Sequence, residues 1–122
     1  MTVTLMETVF PTHVNHYGTL FGGIALQWMD KAAFIAASRH ARKTVVTARS
    51  ESVDFDHPVR SGQLAECTGR VVETRRTSMV VETELWAEDL LSGDRQLCTR
   101  GRFVMVALDA HGKPAPLAPA PT

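Results

Sequence analysis

One carboxylate stands inside an apolar helical run. Asp30 lies in GIALQWMDKAAFIAASRH, where helical spacing puts Leu26, Ala33 and Phe34 three or four residues away on its own face. A carboxylate among such neighbours is costly unless a partner satisfies it. Lys31, about 100° further round the helix, is not an automatic partner. Two readings stay open: a structural partner, or a working carboxylate whose desolvation lifts its pKa and makes it a better base. Seven residues upstream, Gly22-Gly23 opens the same run. Glycines there ease the packing of loop on helix. They also allow close approach to the first N–H groups of the helix, which lack partners and sit at the positive end of its dipole. A carbonyl placed there is polarised as its tetrahedral intermediate forms.

Other candidates are less specific. Asn15 has the character of a turn residue. His13 and His16 flank it and look tempting as bases or metal ligands, but no third ligand lies near them and no Cys/His cluster has zinc spacing, so no metal site is expected. Arg75-Arg76-Thr77-Ser78 falls between two strand-like runs. A solvated turn accounts for it; the forked donors of Arg also suit phosphate. Arg39, Arg60 and Lys113 are weaker candidates of the same kind.

The elements that must hold these residues read clearly. Residues 2–10 form a short strand stopped by Pro11, and residues 12–20 are a polar loop. A helix follows from about Phe21 to His40, rich in Ala, Leu and Met and apolar nearly all round, as buried helices are. Arg39, His40, Arg42 and Lys43 suit the negative end of its dipole. Period-two patterning then marks strands at 44–55, 63–74, 78–88 and 95–108, joined by turn signals such as Ser92-Gly93-Asp94, so the sheet is antiparallel. The expected class is α+β, an antiparallel sheet wrapped around one long helix. Residues 1–112 form one domain, and the proline-rich tail 113–122 is expected to be flexible.

Composition narrows the function. The chain has 122 residues, a single-domain length, with 13 Lys+Arg against 13 Asp+Glu. That balance argues against nucleic acid as a partner and against a polybasic membrane anchor. The start, MTVTLMETVF, has no signal-peptide character, and no stretch approaches the roughly 18 apolar residues of a membrane helix. Cys67 and Cys98 lie inside strand-like segments and are expected to be reduced thiols of a cytoplasmic protein.

Residues 11–30, PTHVNHYGTLFGGIALQWMD, resemble the signature of the hotdog-fold acyl-CoA thioesterases of the YciA-type and brain acyl-CoA hydrolase-type group: an Asn, a Gly three residues on, FGG, and an Asp seven residues after the second Gly. The resemblance continues through VVT at 45–47, ESVDF at 51–55, RTS at 76–78 and FVMVALDAHGK at 103–113. It implies the hotdog fold and hydrolysis of acyl-CoA to free acid and coenzyme A. Asp30 is then the catalytic carboxylate, acting on water or on the thioester itself. Gly22 and Gly23 hold the thioester carbonyl, and Asn15 reaches the site from a neighbouring protomer. Arg75, Arg76, Thr77 and Ser78 contact coenzyme A. A thioester is already activated, so neither metal nor organic cofactor is implied. His13 and His16 depart from what the family requires and are taken as loop or rim residues. Trp28, Met29, Phe34 and Phe55 are core side chains first, a minority of which line the acyl tunnel. One sheet cannot close the site around so apolar a helix, so a homodimer is expected, which the family extends to tetramers or hexamers. Two alternatives stand beside this reading: a non-catalytic acyl-CoA-binding protein, and a hotdog hydratase or dehydratase, whose His with an acidic partner is not found here.

Overall fold

The computed structural model describes residues 1–117. Its elements run β1 (Thr2–Thr8), a single tight helical turn (Pro11–His13), α1 (Gly22–Ala41), β2 (Thr44–Phe55), β3 (Leu64–Thr74), β4 (Ser78–Glu88) and β5 (Arg95–Leu108). One five-stranded antiparallel sheet takes the order β1-β3-β4-β5-β2. It curls about α1, which touches all five strands. The wrapped, antiparallel arrangement is the expected one; the strand order is what the structure adds. Short turns join β3, β4 and β5 into a meander, but β2 pairs with β5 and lies across the sheet from β3.

Small residues set how close the helix comes. Its buried stripe is Ala25, Trp28, Met29, Ala32, Ala33, Ala36 and Ala37, at helical spacing. Opposite it lie the inward residues of the strands, among them Cys67, Met79, Leu85, Phe103 and Met105. Gly69 stands where β3 passes under the helix: a Cβ there would lie 2.7 Å from the Ala32 carbonyl oxygen and 2.9 Å from its carbon. The helix is therefore buried along one stripe and not on every side. Phe21 and Phe34 remain 50 % and 45 % exposed in the single chain, and β2 presents an exposed edge. Arg42 ends the helix in the left-handed conformation, φ 53°, its N–H donating to the Ser38 carbonyl at 2.8 Å.

The outer face of the sheet carries the charge. Glu82 lies between Arg70 (3.4 Å) and Arg102 (3.8 Å), Arg95 between Glu66 and Glu88, and Arg100 pairs with Asp56 at 3.2 Å. Opposite charges meet strand by strand, which is where much of the zero net charge resides. The described part of the tail, residues 113–117, departs from the flexible chain expected. The Ala115 N–H donates to the Ala107 carbonyl (2.8 Å), and that of Leu117 to the Arg76 carbonyl (2.7 Å). The rest of that tail lies outside the described residues. No helix among the described residues is long and apolar enough to cross a membrane.

The contact at Gly69 yields a direct test. Gly69→Ala drives a methyl into helix backbone and is expected to cost about 1–3 kcal/mol of stability, read from urea unfolding. An unchanged midpoint would mean that the helix can move off the sheet without cost.

Candidate active site

Asp30 sits midway along α1 on the flank of the buried stripe. It is half-buried, less enclosed than its apolar neighbours suggested. Its partner comes from β2: the Thr47 hydroxyl donates to Asp30 Oδ1 at 2.6 Å. Thr47 immediately precedes a register shift between β2 and β5, an irregularity of the kind that re-aims side chains. The sequence reading left the partner of Asp30 unnamed. Thr47 was visible only as the last residue of VVT, where a threonine reads as an ordinary strand former.

Asn15 organises the loop before the helix. Its Oδ1 accepts from the Tyr17 N–H (3.0 Å), the Thr19 N–H (3.2 Å) and the Thr19 hydroxyl (3.0 Å), and Gly18 turns the chain at φ 79°. The loop is fastened at both ends. Leu20 N–H donates to the Val59 carbonyl at 2.7 Å, and Phe21 N–H to the His13 carbonyl at 3.1 Å. His13 acts as a buttress: its Nδ1 accepts the Phe10 N–H at 3.0 Å, and its ring lies edge-on to Trp28 with centroids 5.2 Å apart. His16 stacks on Tyr17 at 3.9 Å. Neither histidine is hydrogen-bonded to Asp30 among the described residues.

Gly22 and Gly23 form the first turn of α1. Phe21 offers no side-chain cap, and its carbonyl accepts from Ile24 and Ala25, both at 3.0 Å. The Gly22 and Gly23 N–H groups thus lie in the turn that has no acceptor within the helix. Neither glycine has positive φ; what the missing side chains give is access. A Cβ at Gly23 would meet nothing within 4 Å, and one at Gly22 would meet only the Phe55 ring at 3.6 Å. Along the axis, however, Gly23 and Asp30 are about 10 Å apart. A carbonyl held at the helix start is out of reach of the same chain's carboxylate.

The turn after β3 is built differently from the sequence picture. Arg75 is engaged in a two-point pair with Glu73 (Nε to Oε1 3.1 Å; second nitrogen to Oε2 3.2 Å), which holds the Glu73 carboxyl below its usual range. Arg76 has an exposed side chain, while its carbonyl holds Leu117. The carbonyl of Thr77 accepts from Ala107 at 3.0 Å, and that of Ser78 from Arg75 at 2.8 Å. His40 Nε2 lies 3.0 Å from the Thr74 hydroxyl, bringing the cationic end of α1 beside this turn. Among the described residues no three His, Cys, Asp or Glu side chains are grouped to hold a metal ion. Cys67 and Cys98 are unpaired; burial pushes the Cys67 thiol up to about 12 and raises that of Cys98, so neither is a ready nucleophile.

The sign of the Glu73 shift sets a pH dependence. A carboxylate whose folded pKa is depressed adds stability above its ordinary range, and that contribution fades as pH falls through the folded value. The Tm of Glu73→Gln should fall slightly below wild type at neutral pH, the gap closing as pH falls through the lowered folded value. A gap that persists in acid would make packing, not charge, the cause.

Comparison with known proteins adds the following. The family model of the Thioesterase superfamily matches residues 17–93. The uncharacterized acyl-CoA thioester hydrolase YkhA of Bacillus subtilis is 38% identical over 94% of this chain and 67% of its own length. The acyl-CoA thioester hydrolase YciA of Salmonella typhimurium is 35% identical over 94% and 89%. An apo-hexameric acyl-CoA thioesterase superposes with a TM-score of 0.92 at 40% identity, covering 95% of this chain and 74% of that one. The acyl-CoA hydrolase of Staphylococcus aureus, solved with butyryl coenzyme A and coenzyme A, gives 0.91 at 33%, covering 95% and 71%. That enzyme has also been solved with alanine in place of an Asn, an Asp and a Thr separated by 15 and then 17 residues. Asn15, Asp30 and Thr47 have the same separations.

Proposed function

Because this chain belongs to the thioesterase superfamily, we propose how its residues divide the work of that chemistry. The chain is an acyl-CoA thioester hydrolase with the hotdog fold. The observation that carries the division of labour is the Thr47–Asp30 hydrogen bond, in a trio spaced like the three side chains altered in the Staphylococcus aureus enzyme.

The hydroxyl of Thr47 fixes Oδ1 and sets the rotamer of Asp30, leaving Oδ2 to meet the substrate. In the base role, Oδ2 takes a proton from water as the water oxygen attacks the thioester carbon. The oxyanion forms at the Gly22 and Gly23 N–H groups, worth several kcal/mol in a water-excluded site. Collapse expels coenzyme A as thiolate, which takes up the proton, and leaves the free acid. In the nucleophilic role, the same oxygen attacks carbon directly, the C–S bond breaks to expel coenzyme A as thiolate, and water hydrolyses the resulting mixed anhydride to the free acid and the Asp30 carboxylate, its proton passing to the thiolate. Incorporation of oxygen-18 in one turnover separates the two, since label in the Asp30 carboxyl marks the nucleophilic route. Neither route calls for a metal or an organic cofactor, because the thioester is already activated.

The distance of about 10 Å between Gly23 and Asp30 on one helix supports a site shared between chains: Asp30 from one protomer, Gly22, Gly23 and Asn15 from its partner. The protein is a homo-oligomer, with a dimer as its smallest working unit, and the exposed β2 edge and the outward Phe21 and Phe34 are surfaces that a second copy would cover. Around coenzyme A, the guanidinium available to phosphate is that of Arg76, since Arg75 is engaged by Glu73; Thr77 and Ser78 complete the turn. We place the reaction in the cytoplasm, in keeping with two buried, unpaired thiols.

Two experiments test this. Asp30→Asn should lower thiol release from acyl-CoA by about a hundredfold or more, and Thr47→Val should lower kcat about tenfold with KM unchanged, Thr47→Ser restoring it. Full activity in Asp30→Asn would sink the site assignment. Coexpressing Asp30→Asn with Asn15→Ala chains, each nearly inactive alone, should recover about a quarter of wild-type activity, because a mixed dimer rebuilds one intact site. Absence of recovery would place both residues in one protomer.

A further inference from the structure

A cleft of about 300 Å³ runs beneath the N-terminus of α1. Gly22 and Phe55 stand at its mouth and Leu20 at its side, and its floor is Ala25, Val59 and Thr99, which are 3, 4 and 2 % exposed. No ionisable side chain forms the floor. The ionisable residues of its lining, Asp56 and His57, stay exposed at the rim, Asp56 paired with Arg100 at 3.2 Å. The wall behind is stiff, because the Cys98 carbonyl accepts the N–H groups of both Asp56 (2.8 Å) and His57 (3.1 Å), and Val59 is tied to Leu20. The buried floor of Ala25 and Val59 favours a narrow, apolar occupant that enters past Gly22.

We propose that this cleft takes the acyl chain of the substrate, and that Ala25 and Val59 set the chain length it prefers. The inference rests on the reading above, in which the thioester carbonyl sits at Gly22 and Gly23. From that point the acyl chain turns in beneath the helix, while the pantetheine arm leaves outward toward the partner. A closed apolar cavity of about 150 Å³ holds benzene, with six carbons. Twice that volume, 300 Å³ in an open cleft, suits a chain of about ten carbons. Because the floor is apolar and the wall fixed, the preference ends abruptly when the cleft is full.

The test is kcat/KM for thiol release on saturated acyl-CoAs from acetyl to palmitoyl. For wild type, it should rise by up to about fourfold for each added methylene and break near about ten carbons. Ala25→Val adds two methyl groups to the floor and should move the break to chains about two carbons shorter. Val59→Ala removes as much and should move it to longer ones. A loss of stability alone would lower every chain length in parallel and leave the break where it was, so opposite movements cannot arise from misfolding. A break unmoved in both variants overturns the proposal. So does a parallel change in KM at all lengths, which would put the pantetheine arm in the cleft. Absence of thiol release from any acyl-CoA by wild type would instead defeat the hydrolase reading on which the proposal stands.

Discussion

The close approach of α1 to the sheet at Gly69 is the constraint on which the rest depends. The helix carries Gly22 and Gly23 at its start and Asp30 at its middle, the groups proposed as oxyanion donors and carboxylate, so the position of one helix fixes both. It is fixed by alanines along the buried stripe and by a glycine beneath Ala32, where a Cβ would come within 2.7 Å of the helix carbonyl. Once the helix lies that low, Asp30 comes within hydrogen-bond reach of Thr47 on β2, and the first turn overhangs the end of β5 to leave the cleft. Of the proposed catalytic side chains, Asp30 and Thr47 stand on rigid elements and Asn15 on a loop that is tied at both ends.

Much of this was legible in the sequence, for identifiable reasons. Strand limits were readable because the inward residues of β4 and β5 alternate with Glu82, Glu84, Arg100 and Arg102. The helix limits followed from Gly22-Gly23 and from the cationic run after Ser38. Asp30 was conspicuous because a carboxylate among Leu26, Ala33 and Phe34 needs a reason. What was not legible depends on the third dimension. Strand order is set by pairing between residues far apart in sequence, as with Val3 and Gly69, and periodicity carries no such information. The Thr47 partnership depends on a register shift. The pairing of Arg75 with Glu73 turns on side-chain rotamers, and two arginines in a row look equally available on the page. The tail was read from its prolines alone, yet Ala115 and Leu117 still donate N–H groups to the sheet and to the neighbouring turn.

Under the proposed division of labour, the geometry favours turnover over binding alone. A protein that only held acyl-CoA would need a phosphate contact and an apolar cleft, whereas the Thr47 hydroxyl on one oxygen of half-buried Asp30 fits a carboxylate set for work. A hydratase of the kind weighed above would place a His beside an acidic partner. The two histidines near the site are spent otherwise, His13 on Phe10 and Trp28, and His16 on Tyr17. The zero net charge takes on a local meaning: the outer face cancels its own charges in rows, and the cationic end of the helix lies beside the turn that carries Arg76.

Strand order also governs how the chain can assemble. β3, β4 and β5 form a meander of local hairpins, while β1 pairs only with β3 and β2 only with β5. Everything before residue 56 is therefore synthesised ahead of the strands it must join, and contacts of such long sequence separation close slowly. During translation the apolar helix and both future edge strands wait without a sheet. The C-terminal half is the template on which β1 and β2 complete the sheet, so a ribosome-bound chain stopped before β5 would leave β2, and with it Thr47, without a strand to join.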